Sequence, residues 1–292
     1  MRTDARKSGA GLTLGLFADM SGGASRFSQQ ERAKRINAVR NDSRKTGSGD
    51  VFVALETPHD DGHKYVKNAL NQGAIAALVS KKKLVLFSDE EQAMLIAVSD
   101  PLSALQRAAS RYRNTLNCKI VGITGSSGKT TARAFISTVL RQSLAVSETQ
   151  GNLNNHIGVP LSLLGFTGKE TAGVIEMGAN HNREIHELSK IARPDIGVII
   201  NIGYAHIGYF GSLANIANAK FEITDGMKKS GMLVLNGLPR LHHPIFNAPE
   251  FELASQTRVF LCIESADEKF NLSQTRALLD SLHPTHVSEV PW

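Results

Sequence analysis

Residues 119–131 read Lys-Ile-Val-Gly-Ile-Thr-Gly-Ser-Ser-Gly-Lys-Thr-Thr, and this stretch decides the fold of the chain. The apolar run at 119–124 predicts a strand, and the stretch at 130–141 has the pattern of a helix. Gly125 and Gly128 let the turn between them adopt backbone angles closed to other residues, so that several N–H groups can converge on a phosphate. The order of strand, glycine-rich turn and helix therefore predicts a loop that binds a nucleotide.

Two side chains of the turn have defined tasks in such a loop. Lys129 brings a point charge to the β- and γ-phosphates, and the Thr130 hydroxyl is placed to bind Mg²⁺. The strict Walker pattern has its first glycine where this chain has Ile123, so the match is to a shorter Gly-x-x-Gly-Lys-Thr-Thr form. A chance surface turn would not account for the flanking strand and helix. The residues predicted to contact the nucleotide are Gly125, Ser126, Ser127, Gly128, Lys129, Thr130 and Thr131.

The composition favours a water-soluble protein of one large or two ordinary domains, because 41% of the 292 residues are hydrophobic and 21% are charged. Cys118 and Cys262 are far apart and lack metal-ligand spacing, which predicts free thiols and a cytoplasmic protein. The apolar stretch at 11–18 is too short for a signal peptide and has no clear cleavage site. No run reaches the roughly 18 to 20 apolar residues of a membrane span.

The net charge of +6 comes from scattered Lys and Arg residues. The single run, Lys81 to Lys83, is interpreted as a solvated loop, and no aromatic residues interleave with it. We therefore expect no nucleic-acid partner. Mild basicity suits a small anionic substrate instead.

Strand-like runs alternate with helix-like segments, which predicts an α/β protein with parallel sheets. We expect a small N-terminal α/β domain at 1–116, followed at 117–292 by a parallel-sheet domain that carries the phosphate loop. The predicted strands lie at 50–55, 74–79, 119–124, 172–177, 196–202 and 258–263. The predicted helices lie at 63–72, 100–116, 130–141, 183–192 and 212–228.

Three further residues are candidates for the site. Glu176 closes the apolar run of one predicted strand and His206 follows another, at the strand ends where ligands of parallel sheets bind, although either could be a solvated or structural residue. Lys220 lies on a helical stripe predicted to face inward, and a buried ammonium needs a partner or a change of charge unless it reaches solvent. The stripe consists of Leu213, Ile216, Ala217, Lys220 and Thr224.

Several ordered motifs together resemble the Mur ligases, which are ATP-dependent enzymes that add amino acids or dipeptides to UDP-N-acetylmuramoyl peptides. The motifs that carry this resemblance are Asp42-Ser43-Arg44, the stretch at 49–55, Asp61-Gly62-His63, the loop at 124–131, Gly-Asn-Leu-Asn-Asn at 151–155, Glu-Met-Gly-Ala-Asn-His at 176–181, Ala205-His206, Gly211-Ser212-Leu213 and the stretch at 219–223.

Within the family, the motifs at 151–155 and 176–181 are most similar to the branch that joins D-alanyl-D-alanine to the UDP-muramoyl tripeptide. The resemblance implies that ATP phosphorylates the substrate carboxylate and that an amine captures the acyl phosphate. It implies Mg²⁺ ligation by Glu176 and His206 together with Thr130, catalytic roles for Lys129, Lys220 and His206, and a carbamate on Lys220. The implied substrate-binding residues are Asp42, Ser43, Arg44, Asn152, Asn154, Asn155, Asn180 and His181.

Family members carry a third, carboxyl-terminal domain of about 150 residues, and this chain leaves no sequence for it after the second. Three hypotheses follow from the resemblance. The chain is a ligase whose third domain comes from another chain, a protein that binds substrate and nucleotide without ligating them, or a ligase acting on another carboxylate. We favour the first, with a UDP-muramoyl peptide and an amino acid or dipeptide as the substrates.

Overall fold

The computed structural model describes residues 11–205, 207–235 and 271–281. By its internal contacts the chain divides into two units, Met1–Asn236 and Gly237–Trp292. The described part of the second unit is a single helix, α11 (Leu272–Ser281). The first unit contains both sheets and every site residue discussed below.

The first sheet has four parallel strands in the order β1-β2-β3-β4. Three of these strands are buried along their whole length, because all of their residues except Ser80 are apolar. The strands are β1 (Val39–Arg40), β2 (Val51–Val53), β3 (Ala76–Ser80) and β4 (Leu95–Val98). The helices around them are α1 (Leu14–Ser21), α2 (Gln29–Arg32), α3 (Val66–Asn71), α4 (Asp89–Gln92) and α5 (Pro101–Arg113).

The second sheet has five parallel strands in the order β6-β7-β5-β8-β9. Its strands are β5 (Lys119–Thr124), β6 (Val146–Glu148), β7 (Ala172–Glu176), β8 (Ile196–Ile199) and β9 (Met232–Leu235). The accompanying helices are α6 (Lys129–Arg141), α7 (Gly158–Leu164), α8 (Glu184–Ala192), α9 (Ile207–Phe210) and α10 (Leu213–Phe221). Strands β7 and β8 lie on opposite sides of β5, and such a switch point opens a crevice at the carboxyl ends of the strands.

The predicted α/β class with parallel sheets is confirmed. Strand β5 has the predicted bounds, and the other predicted strands within the described ranges form with small shifts at their ends. The strand predicted at 258–263 lies outside the described residues. Strands β1, β4, β6 and β9 were not predicted. The division into domains at residue 117 stays a prediction.

Two local predictions are wrong. The helix expected at 212–228 ends at Phe221 and continues as a 3₁₀ turn, Glu222–Gly226, whose Glu222 carboxylate accepts hydrogen bonds from the first turn of α8. The lysine run forms a 3₁₀ helix, Lys81–Leu86, rather than a loop, although Lys81 and Lys82 are exposed to solvent as predicted. Lys83 is held there by an ion pair with Asp61 at 2.9 Å, and that partner is distant in sequence.

None of the described helices has both the length and the apolar character needed to cross a lipid bilayer. The Cys118 thiol is free and buried, and burial raises its pKa. Cys262 lies outside the described residues.

Candidate nucleotide and substrate site

The glycine-rich loop lies between β5 and α6, as predicted. Gly128 caps α6 with φ of 74° and no side-chain hydrogen bond, so the first N–H groups of the helix are open to an anion. The Asn201 side chain, which follows β8, accepts hydrogen bonds from the N–H groups of Ser126 and Ser127, each at 3.0 Å. The loop is therefore held in shape by the neighbouring strand before any ligand binds.

Lys129 folds back over its own loop. Its Nζ donates a hydrogen bond to the Gly125 carbonyl at 2.8 Å. Burial lowers the pKa of Lys129, and the negative charge of Glu176 opposes that effect. A bound phosphate would supply the negative charge that this partly desolvated ammonium lacks.

The Glu176 carboxylate is the centre of the site. It ends β7, and the residue is 1% exposed. Its Oε2 accepts a hydrogen bond from Thr130 Oγ1 at 3.0 Å, and its Oε1 accepts one from Asn154 Nδ2 at 2.8 Å. The Glu176 N–H donates to Thr149 Oγ1 at 3.0 Å, which fixes the end of the strand. The fold therefore joins the phosphate loop, the strand-end carboxylate and the asparagine loop, residues 151–155, at one point.

The donor atoms at this point suit Mg²⁺. The carboxylate of Glu176 and the hydroxyl of Thr130 are oxygen ligands, which hard divalent cations prefer. The nearest positive side chain is Arg133, whose Nη1 lies 3.8 Å from Glu176 Oε2, beyond hydrogen-bond distance. Among the described residues this long ion pair is the only one that Glu176 forms, and a buried carboxylate so weakly paired fits a site that a metal ion would complete. His206, the third ligand implied by the resemblance, lies outside the described residues.

Lys220 is buried, as predicted, with 2% exposure. Within the described residues, its ammonium forms no ion pair and lies 5.7 Å from the centroid of the Phe210 ring. Burial, with a smaller contribution from the Lys129 charge, lowers the pKa of Lys220 to about 8. The prediction that the whole stripe faces inward was only partly right, because Leu213 is 40% exposed and Thr224 is also exposed. The buried face consists of Ile216, Ala219, Lys220 and Ile223.

The low pKa of Lys220 predicts a pH-dependent stability. In the unfolded chain the amine titrates near 10.5, so between about pH 8 and pH 10.5 the unfolded state binds more protons and the free energy of unfolding rises with pH. Below pH 8 the full penalty of burying the ammonium remains, about 3 kcal/mol at 1.36 kcal/mol per pKa unit. We expect Lys220→Met to stabilise the protein by up to that amount near neutral pH and by much less near about pH 10.

The measurement is urea unfolding of both proteins across this pH range in buffer freed of CO₂, which keeps the amine unmodified. Lys190→Met, at an exposed lysine of α8, is the matched control and should show no such trend. A wild type more stable than Lys220→Met at neutral pH would contradict the prediction.

In the asparagine loop at 151–155, some polar groups hold the loop and α7 in shape, and others are exposed to solvent. The Asn155 Oδ1 accepts hydrogen bonds from the N–H groups of Ile157 and Gly158, at 3.1 and 2.9 Å, and so caps the start of α7. The Asn152 side chain is exposed, and its carbonyl accepts a bond from the Asn154 N–H. Asn152 and the Asn155 amide nitrogen are therefore the groups of this loop best placed to meet a substrate.

Asn180 and His181 lie in the exposed loop before α8. The Glu184 carboxylate accepts hydrogen bonds from both of their N–H groups, and His181 Nδ1 lies 3.2 Å from the same side chain. The His181 ring also meets the Tyr209 ring edge to face, with centroids 5.1 Å apart. This pair presents an aromatic surface, because Tyr209 is 69% exposed.

The Asp42-Ser43-Arg44 motif follows β1 in the first sheet. The Asp42 carboxylate accepts bonds from the backbone N–H and from the guanidinium of Arg44, and this hydrogen bonding holds the pKa of Asp42 below its usual value. Ser43 is buried, whereas the Arg44 side chain is 87% exposed. Within the described residues, the side chains of Asp42 and Arg44 bond to each other and not to the phosphate loop.

Three residues of the site were missed by sequence reasoning: Thr149, Asn201 and Arg133. A signal existed for Asn201, which is a polar residue at the end of the apolar run Ile199-Ile200, where ligands of parallel sheets bind. The partners of Thr149 and Arg133 are distant in sequence, so no local pattern indicates their roles.

A parallel sheet with a glycine-rich phosphate loop after its central strand, and a buried carboxylate at the end of the next strand, defines the phosphate-loop nucleotide-binding fold. Two family models match within this chain. The Mur ligase family catalytic domain matches residues 35–113, and the Mur ligase middle domain matches residues 123–249. The chain belongs to the Mur ligase family. A third model, the ActD subunit of alternative complex III, matches residues 227–289.

Curated relatives agree with this assignment. The UDP-N-acetylmuramoyl-tripeptide–D-alanyl-D-alanine ligase of Bacillus subtilis (strain 168) is 39% identical over 202 residues, covering 69% of this chain and 44% of the relative. The enzyme of the same name from Escherichia coli (strain K12) is 38% identical over 201 residues, covering 69% and 43%. The chain thus spans less than half the length of the curated relatives it matches.

Solved structures show the same likeness. A structure of MurF from Acinetobacter baumannii has a TM-score of 0.66 at 32% identity, covering 76% of this chain and 48% of the other. MurF ligase from Thermotoga maritima in complex with ADP has a TM-score of 0.60 at 31% identity, covering 75% and 48%. Over the part of this chain that they cover, its architecture is therefore similar to that of about half of each of these proteins.

Proposed function

We propose that this chain forms part of an ATP- and Mg²⁺-dependent ligase that adds D-alanyl-D-alanine to a UDP-N-acetylmuramoyl tripeptide, a step in the synthesis of peptidoglycan precursors. Residues 1–116 would bind the UDP end of the substrate, and residues 117–292 would bind ATP. The reaction would take place in the cytoplasm, where ATP is supplied. The alternative is a protein that binds the same ligands without ligating them.

The observation that carries the proposal is the junction at Glu176. Thr130 of the phosphate loop and Asn154 of the asparagine loop both donate to this one carboxylate. The γ-phosphate bound at the first loop and the substrate carboxylate bound at the second would therefore lie side by side, which phosphoryl transfer requires. The names of the curated relatives and the ADP complex of the Thermotoga maritima structure support the same assignment.

Each side chain then has a chemical task. Lys129 would leave the Gly125 carbonyl for the β- and γ-phosphates, and the N–H groups at the start of α6 would hold the phosphate oxygens. Thr130 and Glu176 would hold Mg²⁺, which neutralises the charge that develops on the transferred phosphoryl group. Lys220 would carry a carbamate, which turns the buried cation into an anion. The amine of the dipeptide would then attack the acyl phosphate, form the amide bond and displace inorganic phosphate.

The experiment is a trapping assay. The protein is incubated with ATP, Mg²⁺ and UDP-N-acetylmuramoyl tripeptide, and hydroxylamine replaces the dipeptide, so that an acyl phosphate appears as a hydroxamate. We expect tripeptide-dependent hydroxamate and ADP. The assay is repeated with a carboxyl-terminal Mur domain added in trans, because the relatives are more than twice as long as their match to this chain. We expect this addition to raise amide formation with D-alanyl-D-alanine.

Two results would count against the proposal. Binding of both ligands without ADP or hydroxamate, with or without the added domain, would favour the alternative binding protein. Equal turnover with a different carboxylate substrate would contradict the proposed specificity.

Nucleotide binding is tested separately by Lys129→Ala. With Mg²⁺ and ATP at 100 times the dissociation constant, bound nucleotide should stabilise the wild type by about 2.7 kcal/mol, and thermal shift detects this. We expect the variant to show little or no shift, because the loop loses its point charge. Lys169→Ala, at an exposed lysine, should behave as the wild type. Equal shifts in the wild type and Lys129→Ala would exclude a phosphate-binding role for this lysine.

A further inference from the structure

Arg133 connects two parts of the site. It lies on α6 one turn after Lys129, and its side chain is 12% exposed. Its Nη1 donates a hydrogen bond to the Gly151 carbonyl at 2.9 Å. The guanidinium therefore links the helix of the phosphate loop to the asparagine loop at 151–155.

The same guanidinium lies between two carboxylates. Its Nε is 3.6 Å from Glu148 Oε2, at the end of β6, and its Nη1 is 3.8 Å from Glu176 Oε2, at the end of β7. Both distances exceed that of a hydrogen bond. Arg133 Nε and Glu148 Oε2 are buried and form an ion pair with each other, but among the described residues neither atom completes a hydrogen bond.

Each of these two atoms can complete the hydrogen bond that the other lacks, and the buried Ser137 hydroxyl lies beside the same carboxylate. A shift of the guanidinium by roughly 0.5 to 1 Å toward Glu148 would bring them within hydrogen-bond distance. Buried polar groups without partners are costly, so something must hold Arg133 where it is. Two contacts do so: the hydrogen bond to Gly151 and the attraction of the Glu176 charge.

A cation at Glu176 changes this balance. The charge of the cation would cancel the attraction of Glu176 for the guanidinium of Arg133. It would also repel the guanidinium, which favours the position of Arg133 next to Glu148. Because Arg133 is bonded to Gly151, its displacement acts on the asparagine loop. We propose that Arg133 is a positioning residue that couples cation binding at Glu176 to the conformation of the 151–155 loop.

The inference rests on the proposed metal role of Glu176, but it concerns residues of the chain and is testable without turnover. Two consequences follow. Arg133 opposes the incoming cation, because it places a positive charge near the same carboxylate. It also orders the loop, because it holds the Gly151 carbonyl. Removal of the guanidinium should therefore strengthen cation binding and loosen the loop, two effects that a general loss of stability would not produce together.

The test compares Arg133→Met with Arg141→Met. Both changes remove an arginine from α6 that faces Glu148, but Arg141 bonds to Glu148 Oε1 at 2.8 Å and contacts neither Gly151 nor Glu176. The affinity of each protein for Mn²⁺, without any other ligand, is measured by titration followed by water-proton relaxation. Amide hydrogen exchange of residues 150–155 is followed with and without saturating Mn²⁺.

For Arg133→Met we expect Mn²⁺ to bind about 3- to 10-fold more tightly than to the wild type, since a like charge near the carboxylate is gone. The loop amides should exchange about 10-fold faster, and Mn²⁺ should alter their exchange less than it does in the wild type. Arg141→Met should match the wild type in both measurements. Arg133→Lys keeps the charge and should keep the wild-type Mn²⁺ affinity.

Unchanged or weaker Mn²⁺ binding by Arg133→Met would overturn the proposal. So would equal loosening of the loop in both methionine variants, which would indicate loss of packing around Glu148. Failure of ATP turnover, by contrast, would count against the proposed function alone, because neither measurement uses ATP or a muramoyl peptide. If the wild type does not bind Mn²⁺ at all, the coupling is refuted at its first step.

Discussion

We expect Glu176→Gln to lower ATP turnover at least about 100-fold while the protein stays folded. Loss of groups that merely support metal ligands costs about 10- to 100-fold, and this carboxylate is proposed as a direct ligand. The glutamine keeps the volume of the side chain and one carbonyl oxygen for Thr130 or Asn154, so the hydrogen-bonded junction can persist. What is lost is the negative charge that the cation needs.

The measurements are ADP release at saturating Mg²⁺ and Mn²⁺ affinity by water-proton relaxation. Glu187→Gln makes the same chemical change at an exposed position of α8 and should leave both values unchanged. Circular dichroism and urea unfolding confirm that the variants are folded. Turnover of Glu176→Gln within a few-fold of the wild type would show that this carboxylate does not hold the metal.

The largest loss of stability is expected for Asp195→Ala. Asp195 is 8% exposed and accepts hydrogen bonds from Arg113 Nη2 and the Ile120 N–H at 3.0 Å, and from Lys228 Nζ at 2.8 Å. Arg113 is itself buried at the end of α5, so the alanine leaves its guanidinium without a charge partner. Breaking a buried pair in this way costs about 3 to 5 kcal/mol.

The free energy of unfolding, measured in urea, tests this expectation. Asp89→Ala is the matched control, because within the described residues the Asp89 side chain forms only an exposed 3.8 Å pair with Arg26, and such pairs contribute less than about 1 kcal/mol. A loss for Asp195→Ala as small as that of the control would contradict the prediction.

The interactions of Asp195 also predict a stability that depends on acid pH. Burial raises the pKa of Asp195. The hydrogen bonds from Lys228 and the Ile120 N–H, together with the positive charges of Lys228 and Arg113, outweigh burial and lower this pKa below 3.8. A carboxylate with a lowered folded-state pKa contributes stability above the unfolded value, and that contribution is lost as pH falls through the folded value. The difference in the free energy of unfolding between the wild type and Asp195→Ala should therefore have its largest value above pH 3.8 and become smaller below pH 3.8.

The sequence alone determined the parts of the site whose order and spacing along the chain are diagnostic. The bounds of β5, the glycine-rich loop and the start of α6 follow from an apolar run, two glycines and a helical pattern. The placement of Glu176 at a strand end and the burial of Lys220 follow from periodicity within single elements. The fold class follows from the alternation of such elements.

Only the tertiary structure decided which elements meet. The strand order β6-β7-β5-β8-β9 brings Asn201 to Ser126 and Glu176 to Thr130, across 75 and 46 positions of sequence. Periodicity tells which face of an element is buried but not which other element covers it. For that reason Arg133, whose guanidinium lies between the ends of β6 and β7, and Asp195, whose partner Arg113 lies 82 positions away, could be found only from the folded chain.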